Sequence, residues 1–163
     1  KYLFLVSGGR NGSLFFQSLL DGHPEVLQFP GIFLLDEFLE KISLTKNSRI
    51  PDAEVVAKIF VDTYREFFDS RLNKLHRMGA LGKDRNEHLE VSTSKFLELY
   101  VAAADHDNFS LASVIQNLHM AWALAAGESL GGKKVTLIHI HHAFRIERVK
   151  KFIQDLDFRV AFM

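Results

Sequence analysis

The sequence predicts an α/β fold, a parallel β-sheet flanked by helices and carrying a helical insertion, on three observations. Tyr2–Val6 is an apolar run ending in the glycine-rich turn Ser7-Gly8-Gly9-Arg10-Asn11-Gly12-Ser13, with helical patterning after it; strand, tight turn and helix open a β-α-β unit. Val135–His141 and Phe158–Met163 are apolar runs joined by an amphipathic stretch, a second such unit. Between the two units, apolar residues recur at helical spacing. With 163 residues, 47% of them hydrophobic, residues 1–163 read as a single domain with a sizeable core.

The glycines of the first turn let the backbone bend sharply and aim its N–H groups inward. The following helix, Leu14–Leu20, presents its positive end there, beside Arg10. The expectation is a cradle for phosphate formed by Gly8, Gly9, Arg10, Asn11, Gly12 and Ser13. The competing reading is a strand-to-helix turn whose glycines only permit tight packing. Val26–Phe29, after His23-Pro24, is expected to be a second strand parallel to the first. Ile32–Ile42, with Asp36, Glu37 and Glu40 among apolar residues, reads as a short helix or lid, and residues 43–50 read as a loop.

Pro51, Asp52 and Glu54 favour a helix start. Val55, Val56, Ile59, Phe60, Tyr64, Phe67, Phe68 and Leu72 then predict one long buried helix. Residues 76–92 are polar and glycine-punctuated, an exposed connection or lid. Helices are expected over Ser94–Asp105 and around Leu111–Ala125, the latter ended by Gly131-Gly132. A core strand at Val135–His141, a helix at Phe144–Leu156 and a parallel strand from Phe158 close the pattern.

The 20 basic and 20 acidic residues cancel, so no polybasic surface announces nucleic acid or an anionic membrane, and anion binding must be local. Fifteen phenylalanines at helical spacing read as core. There is no cysteine for disulfides or thiolate metal sites. No apolar run approaches the roughly 20 residues that span a bilayer, and no signal peptide appears, so the expected location is the cytoplasm. The sequence starts without methionine one residue before a strand and stops inside another, which reads as a chain cut at both ends.

Two common nucleotide-binding motifs fit the turn poorly. A Walker loop places Lys-Ser or Lys-Thr after its last glycine, whereas Gly12 is followed by Ser13-Leu14; a dinucleotide fingerprint is G-x-G-x-x-G, whereas the turn is G-G-x-x-G. The stretch from Ser7 to Val26, about 20 residues, instead resembles the 5′-phosphosulfate-binding segment of the sulfotransferase family. That segment reads G-x-x-[RK]-S-G-T-[ST], then an apolar helix, a His-Pro pair and a second strand. Gly8, Arg10, Gly12, Ser13, Leu19, Leu20, His23 and Pro24 fall on the family positions, while Asn11 and Leu14 replace residues whose hydroxyls commonly face the phosphosulfate. The resemblance implies a P-loop-like three-layer sandwich and, as co-substrate, 3′-phosphoadenosine 5′-phosphosulfate. The acceptor would be a small molecule, sugar or peptide. Family members often carry a Lys-x-Pro-type turn after the later core strand, where this chain has His141-His142-Ala143; their 3′-phosphate segment would begin after Met163.

In an open parallel sheet, ligands bind beyond the carboxyl ends of the strands, so His141 and His142 are expected to approach the same crevice as the turn. His141, when protonated, would stabilise charge developing on the bridge oxygen, with Arg10. His139 alternates with Val135 and Leu137 and reads as a core residue. A metal bound by His139 and His141 lacks a third ligand at an interpretable spacing, so no metal is expected. His23 reads as a structural helix-end residue. The family position for a base falls at Pro30-Gly31, which leaves Asp36 and Glu37 as nearest carboxylates, Glu37 preferred over His142. The expected activity is sulfuryl transfer to a hydroxyl or amine, with Arg10, His141 and Glu37 as the catalytic set. The alternatives are a P-loop nucleotide-binding enzyme of kinase type and a non-catalytic binding protein that keeps the fold.

Overall fold

The computed structural model describes residues 1–8, 12–44, 52–72, 81–104, 110–150 and 156–163. Its sheet comprises β1 (Tyr2–Val6), β2 (Val26–Leu27), β3 (Val135–Ile140) and β4 (Phe158–Phe162), in the order β2-β3-β1-β4. Every neighbouring pair is parallel. β1 and β3 are central and covered on both faces, which is why they read as nearly continuous apolar runs. The register pairs Leu5 with His139 and Val6 with Ile140. β2, only two residues long, forms one edge and pairs with β3 rather than β1.

Side-chain alternation gives the sheet two different faces. Tyr2, Phe4, Val6, Ile138 and Ile140 join the main core, where Phe29, Phe33, Phe60, Phe67 and Trp122 pack together; the expectation of core phenylalanines holds for these, whereas Phe15, Phe16, Phe144 and Phe162 are exposed. On that face the Tyr2 hydroxyl donates to Ala112 O at 2.9 Å, and Thr136 Oγ1 donates to Gln116 Oε1 at 3.3 Å. Leu5, Leu137 and His139 are buried on the opposite face. There His139 meets Gln17 of α1 (Ser13–Ser18).

The helical block between β2 and β3 consists of α2 (Leu35–Leu44), α3 (Ala53–Thr63), α4 (Thr93–Ala103) and α5 (Leu111–Ala125), while α6 (Arg145–Lys150) links β3 to β4. Several boundaries differ from expectation. The helix after the glycine turn stops at Ser18. The helix expected to run to Leu72 stops at Thr63, where Tyr64 leaves helical geometry at φ −121° and ψ 48°; short 3₁₀ turns follow at Arg65–Phe67 and Ser70–Leu72. Tertiary hydrogen bonds hold this break: the Tyr64 hydroxyl donates to Leu34 O, and Trp122 Nε1 donates to Phe67 O, each at 3.1 Å.

Gly127, not Gly131-Gly132, ends α5. At φ 87° its N–H donates to Leu124 O while Glu128 N–H donates to Ala123 O, the paired bonds of a Schellman cap. α2 extends to Leu44, into the stretch read as loop, and α6 opens at Arg145. No helix among the described residues is long and apolar enough to cross a membrane.

Candidate functional site

The carboxyl ends of β1, β3 and β4 are stitched together where the chain leaves β1. Ser7 N donates to Ile140 O at 3.0 Å, Met163 N donates to Val6 O at 2.9 Å, and Gly8 N donates to Met163 O at 3.3 Å. The Gly8 amide thus completes the β4 contact. A donor engaged by a strand end is not offered to an anion. Gly9, Arg10 and Asn11 lie outside the described residues.

Gly12 is the N-cap of α1 at φ 79° and ψ 11°, and its carbonyl accepts from Phe16 N at 2.9 Å. A Cβ there would meet nothing within 4 Å, so the requirement for glycine is its left-handed backbone and not crowding by protein. Ser13 is buried at the start of α1, and the six residues of that helix align few peptide dipoles.

Behind this strand exit runs a buried polar network. Gln17 Nε2 donates to Phe29 O at 3.0 Å and to Gly31 O at 3.2 Å. Its Oε1 therefore accepts from His139 Nδ1, 2.9 Å away, which puts the neutral imidazole's proton on Nδ1. His139 Nε2 faces Ser7 Oγ at 3.4 Å, and that hydroxyl donates to His141 O at 2.7 Å. Burial, and then the nearby His141, depress the His139 pKa to about 4. His139 is a core residue, as expected. Through Ser7, Gln17 and His139, this network ties the segment after β2 to α1 and to the end of β3.

Beside the network opens a cleft of about 530 Å³. Glu37 from α2 and His141 from the end of β3, both singled out in the sequence, line it together with His142. The His141 and His142 ring centroids are 4.5 Å apart, and His142 stacks on Phe144 at 5.4 Å. Glu37 Oε1 lies 2.8 Å from Arg145 Nη1, so a guanidinium engages the carboxylate expected to act as base. Asp36 points elsewhere: it is buried, lies 2.8 Å from Arg145 Nη1 and 3.7 Å from Arg148 Nη1, and does not line the cleft.

Among the cleft residues that the sequence did not single out are Arg145, Lys41 and Tyr64. Arg145 sits at the start of a helix read only as amphipathic. Lys41 and Tyr64 reach the cleft because α2 and the end of α3 meet there. Lys41 Nζ donates to Thr63 Oγ1 at 3.2 Å. Burial first, then the charges of Glu37 and Glu66, push the Tyr64 phenol far above its ordinary range, so it donates a hydrogen bond and stays protonated. Arg145 alone had a legible signal, a basic residue three positions beyond the histidine pair.

His23 is structural, as expected: its Nδ1 accepts from Glu25 N at 3.2 Å in the turn before β2. Among the described residues no group of His, Asp and Glu side chains could hold a metal ion. No protein-family model, curated protein sequence or solved structure matches the chain.

Proposed function

We propose that this domain transfers a sulfuryl group from 3′-phosphoadenosine 5′-phosphosulfate to a hydroxyl or amine held in the cleft. The observation that carries the reading is that Glu37 and His141, chosen separately from the sequence, line one cleft, and the His141 carbonyl accepts from Ser7 Oγ at the exit of β1, although none of the described residues of the glycine turn lines that cleft. The order β2-β3-β1-β4, with the turn leaving a central strand, also suits a P-loop-like three-layer fold. In the proposed step the acceptor oxygen or nitrogen attacks sulfur while Glu37 takes its proton. The bond from sulfur to the 5′-phosphate oxygen breaks, and adenosine 3′,5′-bisphosphate leaves. Arg10 and protonated His141 stabilise the charge on the departing oxygen, as in phosphoryl transfer.

For Glu37 to accept a proton, Arg145 must release it or swing with it. That contact favours a second reading in which the fold binds an anionic nucleotide without turnover. Calorimetric titration with adenosine 3′,5′-bisphosphate, followed by sulfur-transfer assays, separates the two. Binding is expected in the native protein and is expected to weaken by about 1.5–3 kcal/mol in Arg10→Ala, the scale of a charge-assisted hydrogen bond. His141→Ala should keep binding and lose about two orders of magnitude in turnover. Absence of bisphosphate binding overturns both readings, and binding without transfer to any acceptor leaves only the second.

A further inference from the structure

Gln17 comes from α1, is 5% exposed and does not itself line the cleft. It nevertheless ties together two stretches of chain that do. Between β2 and α2 the backbone runs through residues 28–34 without helix or strand, so the carbonyls there have no ladder partner. Phe29 and Gly31 are buried in that stretch, and no backbone N–H of the described residues donates to either carbonyl. Gln17 Nε2 supplies both bonds, at 3.0 and 3.2 Å.

The other end of the same carboxamide accepts from His139 Nδ1 at 2.9 Å. His139 lies on β3, just before His141, and the two imidazole centroids are 5.8 Å apart. One side chain therefore joins the stretch that brings Gly31, Ile32 and Leu34 to the cleft with the strand end that brings His141 and His142. An ionised Glu in its place would offer no donor, Asn is shorter by a methylene, and an apolar residue would leave the two buried carbonyls and the imidazole N–H without partners. Those groups could regain hydrogen bonds only by moving, and the cleft walls would move with them.

We propose that Gln17 is the positioning residue of the cleft: without touching a ligand, it sets the spacing between the segment after β2 and the histidine end of β3. Ser7 supports the same strand end, its Oγ donating to His141 O at 2.7 Å, so losing the Gln17 bonds loosens that end without freeing it. Reacting groups must be held to within a fraction of an ångström, which is why such a residue acts on turnover more than on binding. Its effect on turnover rests on the sulfuryl-transfer reading, whereas the spacing of the walls can be observed without any reaction.

Gln17→Met keeps an unbranched, adaptable side chain and removes both donors and the acceptor. The His141 and His142 ring resonances, followed in two-dimensional proton–carbon spectra at fixed pH, report one wall, because the two rings are 4.5 Å apart and each shields the other. The Gly31 backbone amide reports the other wall. Both sets of resonances are expected to shift in Gln17→Met. Its kcat for sulfuryl transfer should fall by about tenfold to a hundredfold, while the acceptor KM and the Kd for adenosine 3′,5′-bisphosphate change by less than about threefold. If Gln17→Met lacks a native circular-dichroism spectrum, Gln17→Asn is measured in its place; if neither folds, Gln17 is a folding requirement and the positioning role is overturned. Unchanged His141 and His142 resonances in a folded variant, or a kcat within about twofold of native, overturns it too. A native protein that transfers no sulfuryl group defeats the transfer reading instead, and the His141 and His142 shifts then decide whether Gln17 sets the walls.

Discussion

His119 and His139 are buried neutral imidazoles on opposite sides of the sheet, and each is held by one good hydrogen bond. His119 Nδ1 donates to Ile115 O at 2.8 Å, its ring stacks on Phe29 with centroids 3.9 Å apart, and its Nε2 is buried without a partner. Burial depresses its pKa to about 4, partly opposed by the bond to Ile115, matching the value for His139. Unfolded, both histidines would titrate near 6.5. Between about pH 6.5 and pH 4 the unfolded chain therefore binds protons that the folded chain refuses. The stabilising contribution is complete above pH 6.5 and is lost as pH falls toward 4, on the order of 2–3 kcal/mol for each histidine. Urea denaturation at pH 7.5 and 5.0 should show this fall. His119→Leu removes the orphaned Nε2 and one of the two titrations, so its stability should drop less between those pH values; an equal drop would mean that His119 is not the group responsible.

α5 is the best specified helix of the chain. Ser110 and Ser113 cap its start reciprocally, Ser113 N donating to Ser110 Oγ at 3.2 Å and Ser110 N to Ser113 Oγ at 2.9 Å. Its far end depends on Gly127 at φ 87°, where an added Cβ would meet nothing within 4 Å. Gly127→Ala should therefore lose about 1–2 kcal/mol from backbone strain alone, read as a shift of the urea midpoint with an unchanged slope. A neutral substitution would show that the end of α5 readjusts freely. α3 is the opposite case. Its apolar stripe continues past Tyr64 in the sequence, yet the helix ends there; the Tyr64 hydroxyl is tied to Leu34 O outside the helix, and Trp122 Nε1 donates to Phe67 O, a carbonyl that a continuing helix would need.

α2 belongs to the inserted block and α6 to the sheet framework, and the Asp36 ion pairs join them. Asp36 is buried, and Arg145 has a side chain 17% exposed. Removing one member of such a pair leaves the other poorly compensated, but the partial exposure of Arg145 and its second partner Glu37 soften the loss. Asp36→Asn should destabilise the protein by about 2 kcal/mol. In Asp36→Asn/Arg145→Met the two losses should not add, because the pair is one unit. Additive losses in that double-mutant cycle would dissolve the clasp as an energetic link between the block and the sheet.

The α/β class, the four strands, the helical insertion and the structural part of His139 and His23 were legible because they rest on local signals. Apolar runs of strand length, glycine turns and the helical period act over a few residues and survive without tertiary context. The placement of β2 at the edge beside β3, the break at Tyr64, and the ending of α5 at Gly127 were decided by contacts between residues distant in sequence. The same holds within the site. Sequence singled out Glu37 and His141, but only the packing of α2 against the end of β3 brings them to one cleft, and only the arrival of α6 puts Arg145 on the Glu37 carboxylate. The Gly8 amide shows the limit most simply: its residue type suits a phosphate turn, and the hydrogen bond it makes was set by where β4 ends. Sequence pattern specifies what each segment can become, whereas the partners of a buried donor or charge are chosen by the packing that removes water from around it.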